Sequence, residues 1–237
     1  MAVFCRKSPC RRALNLICNR AFLWFNQIHS RMLERFPFWI RAACLAGLMV
    51  IGAVLDVCRH GRAATRHKEY AFIWFTGLIG CLMGGTTDLI TSSISPYYFT
   101  IGKGLLGGEG FERRVAMFGV QEGLSAGVIA GAVCVYVSRR KSKFAPLGFG
   151  ELLRRLWMPV FCAVAGSVLF PLVAGDSDPA GLALKLDAAA LAWPFSRFLR
   201  VWWIHTGLYA GLLIGLIWLI VVVVRRRRAG AKMAAGS

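Results

Sequence analysis

Four long apolar stretches dominate this 237-residue chain and restrict the folds that it can adopt. Each provides the roughly 20 apolar residues that a helix needs to cross the hydrocarbon core of a bilayer. Backbone polar groups at that depth find no water, so a spanning segment has to be a helix or part of a closed barrel. The stretches are residues 71–94, 115–138, 156–174 and 201–224. They predict an all-α, polytopic membrane helix bundle with four core transmembrane helices.

A fifth apolar stretch, 42–57, is shorter than the others, follows Arg41 and contains Asp56. If it crossed the membrane, the seven basic residues before Arg41 would lie outside the cell, against the charge rule for membrane topology. If it does not cross, it has to lie at the interface or pack against the bundle. The sequence leaves this fifth N-terminal helix open.

Charge is distributed in alternation with the spans. The chain carries a formal net charge of +18, concentrated around residues 59–68, 139–155 and 225–232, whereas the two intervening loops mix three basic residues each with acids. Positively charged loops are retained on the cytoplasmic side, so the pattern predicts a multi-pass protein of a bacterial inner membrane with a cytoplasmic C-terminus. It also predicts contact with anionic lipids, and it excludes nucleic acid as a partner, because that function needs a basic surface without this alternation.

The eight cysteines predict neither a disulfide framework nor a zinc site. No CxxC motif occurs, and neither predicted external loop contains a cysteine. We expect them to act as small buried hydrophobic residues.

The chain divides by composition into four segments. Residues 1–36 form a basic amphipathic segment that we expect to lie along the membrane surface, although a disordered basic tail or a start at Met32 or Met49 fits equally well. Residues 37–70 hold the marginal apolar helix and a basic cytoplasmic loop. Residues 71–228 form the four-helix transmembrane domain, and residues 229–237 are a C-terminal tail.

Glycines recur at every fourth position in three of the four strong spans. Small residues at this spacing allow helix backbones to approach closely, which replaces the hydrophobic drive that is missing in lipid. The spacing leaves open whether they face helices of the same chain, a second copy or another membrane partner. The helix-packing glycines are Gly80, Gly84, Gly119, Gly123, Gly127, Gly131, Gly207, Gly211 and Gly215.

The segment that follows the first strong span predicts a helix start at the external interface. Ser95 is placed to cap free amides, and Pro96 to occupy the first helical turn. Tyr97, Tyr98 and Phe99 then form an interfacial row of aromatic residues. The glycine-rich stretch 102–110 is expected to be flexible, and residues 180–193 to lie on the outer surface.

Several polar residues share the outer half of the predicted bundle. Counted at 1.5 Å per residue, Asp88, Glu122 and His205 lie about 6 to 12 Å inward from the external ends of their spans. Thr87, Thr91 and Tyr209 lie close by on the same helices. These groups could bind a metal ion, pass protons or brace the helices by hydrogen bonds. No HExxH motif or nucleophile elbow favours catalysis.

The sequence Asp88-Leu89-Ile90-Thr91, followed by Ser95-Pro96-Tyr97-Tyr98-Phe99-Thr100, resembles a family of uncharacterised bacterial membrane proteins. Their signature is Asp-x-Ile/Val-Thr, then Ser-Pro-Glu-Tyr-Phe-Thr. The last span, with Trp203, His205, Tyr209, Gly211 and Gly215, is similar to the last helix of that family. The resemblance covers about residues 71–228 and implies four spans, but it implies no activity. Leu89 replaces the Gln of many relatives, and Tyr97 replaces their Glu.

Three functions therefore remain as hypotheses. The first is binding or passage of a small ion or proton through the cluster of Asp88, Glu122 and His205. The alternative is a structural or partner subunit of a membrane complex, in which the cluster acts as an interhelical brace. The third is a membrane enzyme that acts on lipid. The sequence does not decide whether the protein is an enzyme, and it specifies no cofactor or metal.

Overall fold

A computed structural model describes residues 37–139, 148–178, 181 and 195–235. Within these ranges all regular structure is helical, and five helices are long and apolar enough to cross a membrane. The prediction of an all-α bundle is confirmed, and the five helices indicate a multi-pass membrane protein in contact with lipid. The predicted segments 1–36 and 180–193 lie outside the described residues, apart from Gly181.

The first helix, α1 (Phe38–His60), contains the marginal stretch 42–57. It is longer than the apolar run because helix continues on both sides, and together with the 3₁₀ turn Gly61–Ala63 it gives 26 residues, enough to span. Leu48, Val50 and Ile51 are exposed along it, as expected of a helix in lipid. The chain forms two compact units, one ending at Arg59 and the other beginning at His60.

The second unit contains the four predicted core spans and one short helix. The long helices extend past the apolar stretches into flanking polar residues that also favour helix. The last helix continues through residues 229–235, which the sequence analysis had assigned to a separate tail. The helices are α2 (Arg66–Ile94), α3 (Phe111–Arg139), α4 (Phe149–Leu153), α5 (Trp157–Ala174) and α6 (Phe195–Ala235).

Helices α2 and α3 form a tight hairpin whose contact surface is built from glycine. Gly80 faces the backbone of Gly123, and Gly84 faces that of Gly119, so closely that a methyl group on any of these four would overlap a carbonyl of the other helix. Further along, Gly127 and Gly131 face Thr76 and its neighbours. The glycines therefore allow direct backbone contact between the two helices.

Helices α5 and α6 form a second hairpin of the same kind. Gly207 faces Gly166, Gly211 faces the carbonyl of Cys162, and Gly215 lies against Pro159. Gly166 is the partner that the sequence analysis did not identify, because it is an isolated glycine in its span. Helix α5 ends where Gly175 takes a φ of +54°, a left-handed conformation that suits glycine.

The two hairpins meet much less closely than the helices within each of them. Helix α6 contacts both α2 and α3, whereas α5 has few contacts with either. At the basic end, the guanidinium of Arg227 donates to the carbonyl of Val137 at 2.7 Å, and Arg139 pairs with Glu69 at 3.2 Å. The loose junction leaves a cleft between the hairpins.

The described cysteines are free thiols in the structure. Cys134 is buried, as expected, but the expectation is wrong for Cys44 and Cys58, which are exposed on α1. A thiol can be exposed on a helix that faces lipid, because free Cys behaves as a small apolar residue.

Candidate functional site

The centre of the predicted polar cluster is formed by Asp88, Thr91 and His205. All three side chains are buried, with Asp88 and His205 each 3% exposed. Thr91 Oγ1 lies 3.2 Å from His205 Nε2, and Asp88 Oδ1 lies 3.7 Å from the same nitrogen. Asp88 and Thr91 are three apart on α2 and so share a face, which brings both to one side of α6.

The hydrogen bonds of Thr91 assign the proton on the imidazole. Its hydroxyl has one proton, which it donates to the carbonyl of Thr87 at 2.8 Å. The Thr91 oxygen is then an acceptor towards His205, so the imidazole carries its proton on Nε2. That N–H lies between the Thr91 hydroxyl and the Asp88 carboxylate.

The second oxygen of Asp88 has no hydrogen-bond partner among the residues that the structure describes. The carboxylate lies against the backbone of α3 at Gly119, where an added methyl group would come within 2.8 Å of Oδ2. Glycine at this position is therefore what gives the carboxylate its room. An orphaned oxygen on a buried acid is costly, since water no longer solvates it.

Glu122 was expected in one cluster with Asp88 and His205, but its hydrogen bonds are to two other residues. Its Oε1 accepts a 2.7 Å hydrogen bond and ion pair from Lys103, and its Oε2 accepts a 2.8 Å hydrogen bond from the Tyr209 hydroxyl. The exposed fractions of the Lys103 and Glu122 side chains are 22% and 31%, so this group is more exposed than the one around Asp88. The predicted single cluster is thus two groups along one cleft.

Lys103 is the functional residue that the sequence analysis missed. The sequence predicts only a flexible glycine-rich loop around it, yet its ammonium reaches Glu122 and lies 4.9 Å from the ring centroid of Phe118. The sequence signal for this role was a single lysine close to the span that contains Glu122. A carboxylate within a span is stabilised by a nearby cation.

Arg114 makes several hydrogen bonds within the same loop, which the sequence predicts to be flexible. Its guanidinium donates to the carbonyls of Leu106, Gly107 and Glu109 at 2.8 to 3.0 Å. Gly108 has a φ of +85°, which a side chain would oppose. One arginine therefore pairs with three loop carbonyls that lie outside regular secondary structure.

The aromatic row after α2 is also corrected by the structure. Tyr97 is exposed, but Tyr98 and Phe99 turn inward and are buried. The Tyr98 ring stacks on the His205 imidazole with centroids 4.9 Å apart and also packs on Phe198. These rings belong to the protein core around the histidine and fix its orientation, so they are not an interfacial row.

Ser95 does not cap the following turn through its side chain. Its hydroxyl oxygen is buried without a partner among the described residues, and the turn closes instead through its carbonyl, which accepts from the amide of Tyr98 at 3.2 Å. Pro96 does occupy the first helical position, before the π-helical turn Tyr98–Gly102. The prediction of a helix start was therefore correct and its capping mechanism wrong.

The cleft between the hairpins has a volume of about 80 Å³ and a polar and an apolar end. Asp88, Glu122, His205 and Tyr209 line its polar end. From Asp88 to Thr76 its lining extends over 12 residue steps of α2, about 18 Å along the helix axis. The apolar part is lined by Ile79, Met83, Ala126, Ala130, Leu156, Pro159, Val160, Ala163, Leu208 and Leu212.

This geometry does not match a hydrolytic relay. In a Ser-His-Asp arrangement the nucleophile and the acid bind different nitrogens of the imidazole. Here Thr91 and Asp88 both approach Nε2, and the Thr91 proton is committed to the backbone. The described ranges also contain no group of three His, Cys, Asp or Glu side chains placed to hold a metal ion.

Comparison with protein-family models gives no match to this chain, and neither the curated proteins nor the solved structures provide a similar one.

Proposed function

We propose that this protein binds and passes a proton or a small monovalent cation at Asp88, between its two glycine-packed hairpins. The observation that carries the proposal is the carboxylate of Asp88, which is 3% exposed and leaves Oδ2 without a partner in the described structure. Ionisable groups in a membrane interior are expensive unless a partner compensates them. A bound proton or cation supplies that partner.

The charges around the site favour a single positive charge. Asp88 and Glu122 bring two negative charges, Lys103 offsets one of them through its ion pair with Glu122, and we take the imidazole of His205 to be neutral. One negative charge then remains at Asp88. A monovalent ion or a proton matches it, whereas a divalent metal would need more ligands than the described residues bring together.

Groups that exchange protons line the same cleft, and they range from buried to exposed. His205 is buried beside Asp88, whereas Tyr209 is exposed and Glu122 is partly exposed next to Lys103. Chains of such groups act as proton relays in pumps and transporters. The arrangement supports passage between the outer half of the bundle and Asp88.

A structural role is the second candidate, because polar contacts tie the hairpins together. The Thr91–His205 contact joins α2 to α6, and the Tyr209–Glu122 hydrogen bond joins α6 to α3. Such contacts hold membrane helices in register. In this role the protein is a subunit of a membrane complex and Asp88 carries no ion.

The charge pattern supports a bacterial inner membrane, with the basic end of the helices in the cytoplasm against anionic lipid. The structure also gives a reason for the resemblance to the Asp-x-Ile/Val-Thr family. The signature residues Asp88, Thr91, Tyr98 and Phe99 all surround His205 of the last span. We propose membership of that family on these contacts.

Reconstitution into liposomes tests the ion function. We expect cation or proton flux from the wild type and none from Asp88→Asn, because the amide keeps the shape of the side chain but loses its charge. Glu109→Gln, in the exposed loop, is the matched control and should retain flux. If wild type shows no flux for protons, Na⁺ or K⁺, and Asp88→Asn has an unchanged thermal unfolding profile, the structural role stands instead.

A further inference from the structure

The cleft continues from Asp88 into an apolar channel that a proton or a metal ion would leave empty. We propose that it binds an amphiphilic cation, with an apolar chain between the hairpins and an ammonium head at Asp88. This inference rests on the proposed function, since both require Asp88 to bind positive charge, and it names the class of ligand that brings the charge.

The lining of the cleft selects an apolar and slender ligand. Small residues, Gly80, Gly84, Gly123, Ala126 and Ala130, leave the space open along one side. Branched and cyclic apolar side chains from α5 and α6 face them. A volume of about 80 Å³ drawn out over about 18 Å suits a flexible chain better than a compact ring system. For a chain that comes from lipid, the gain is van der Waals contact with the cleft lining, because the hydrophobic drive is missing there.

The polar end selects a donor of hydrogen bonds. The carboxylates of Asp88 and Glu122 are acceptors, and both oxygens of Glu122 already accept from Lys103 and Tyr209. Oδ2 of Asp88 is the acceptor left over in the described structure. An ammonium head donates to it and neutralises it, whereas an anionic head would meet uncompensated negative charge.

Access is possible from the bilayer. Helix α5 lines the cleft with Pro159, Val160 and Ala163, and Leu156 does so just before it, yet α5 touches the first hairpin at few points. The seam between α5 and that hairpin is therefore the weakest junction of the unit. An amphiphile that is already dissolved in lipid reaches the cleft through it without crossing water.

Thermal unfolding of the full chain in nanodiscs of zwitterionic lipid tests the proposal, with dodecylammonium as the probe. Dodecanol has the same chain without the charge, and dodecyl sulfate has the opposite charge. We expect dodecylammonium to raise the unfolding temperature in a saturable way and the other two not to. Asp88→Asn should weaken the apparent affinity by about tenfold or more, as loss of one charge-assisted hydrogen bond implies.

Variants of the apolar part separate this inference from the proposed function. Ala126→Leu and the smaller change Ala130→Val fill the cleft and should weaken dodecylammonium binding while leaving Asp88-dependent proton or cation flux in place. Ser125→Leu adds the same bulk on an exposed face of α3 and is the control.

Equal shifts from dodecanol and dodecylammonium, or equal binding by the cleft-filling variants and Ser125→Leu, would overturn the proposal. In that case flux that depends on Asp88 would still support the ion function. Saturable dodecylammonium binding that Asp88→Asn abolishes, without any flux, would instead support the ligand site and count against transport.

Discussion

The Thr91 hydroxyl and the His205 imidazole lie 3.2 Å apart and join the two hairpins inside the bundle. The tightest interfaces of the unit run within the hairpins, through glycine backbone, whereas further contacts between the hairpins, such as Tyr209–Glu122 and Arg227–Val137, are polar hydrogen bonds. Polar side chains thus hold together the surfaces that the glycines leave loosely packed. Because the same histidine faces Asp88, the junction between the hairpins and the candidate ion site share one residue.

The energy of this contact is measurable in a double-mutant cycle. Thr91→Val removes the hydroxyl, and His205→Phe keeps a ring to stack on Tyr98 but removes the nitrogen. We expect a coupling free energy of about 0.6–1.7 kcal/mol, the range for hydrogen bonds between membrane helices, from denaturant unfolding in detergent micelles. Ser93→Ala paired with His205→Phe is the control, since among the described residues the Ser93 hydroxyl donates to the carbonyl of Ile90 and not to His205. Equal coupling in both cycles would contradict the assignment.

The glycine contacts predict opposite effects of the same substitution at two sites. Gly123→Ala puts a methyl group into the backbone of Gly80 and should lower the free energy of unfolding by about 1–3 kcal/mol, as overpacking does. Gly47→Ala, where nothing lies within 4 Å of the new methyl group, should be neutral or raise it by up to about 1 kcal/mol, because Ala favours helix. Comparable losses at both sites would show that the close approach is not what Gly123 provides.

Residues that depend on helical spacing could be predicted from the sequence, and residues that depend on loop conformation could not. Glycines four apart share a helix face whatever the rest of the chain does, so Gly119 and Gly123 could be grouped in advance. The same reasoning placed Asp88 and Thr91 together. Lys103 and Tyr98 were misread because their positions depend on how the 95–110 segment folds back, which no local period encodes.

The role of an isolated residue was also not predictable from the sequence. Gly166 has no second glycine at the right spacing in its span, so only the approach of Gly207 from another helix reveals its role. The pairing of Glu122 with Tyr209 depends in the same way on how the hairpins meet. Long-range packing of this kind decides the site, while hydropathy decides only which segments are helices.

The buried phenol of Tyr98 predicts a loss of stability in alkali. Burial raises the pKa of Tyr98 above its ordinary value of 10.0, and the negative charges of Glu122 and Asp88 act in the same direction. The neutral phenol is favoured in the folded state, so this stabilisation is complete below pH 10 and declines as the pH rises above it, where the unfolded chain releases the proton. We expect the free energy of unfolding to fall less steeply above pH 10 in Tyr98→Phe than in wild type. Tyr97→Phe, at an exposed position, should follow wild type.

The hydrogen bonds of Arg114 predict slow hydrogen–deuterium exchange in the glycine-rich loop. Arg114→Ala removes the donors to three loop carbonyls and should increase deuterium uptake in residues 103–110, as measured by hydrogen-deuterium exchange with mass spectrometry. Arg113→Ala, at the exposed neighbouring position, is the control and should leave uptake unchanged. Unchanged uptake in Arg114→Ala would mean that the glycine turns hold the loop without the arginine.

The direction of insertion is testable by labelling cysteines at the two ends of α3. Glu109 lies in the loop before α3, and Gly150 lies in α4, beyond its other end, and both are exposed. Because α3 is long enough to span, the two positions face opposite sides of the membrane. Basic residues flank the Gly150 end, so we expect it to be cytoplasmic, together with the C-terminus. In a variant without native cysteines, a membrane-impermeant maleimide should label Glu109→Cys in intact cells and Gly150→Cys only after lysis. The opposite order would place Asp88 and His205 in the cytoplasmic half of the bundle and reverse the direction from which an ion or amphiphile enters the cleft.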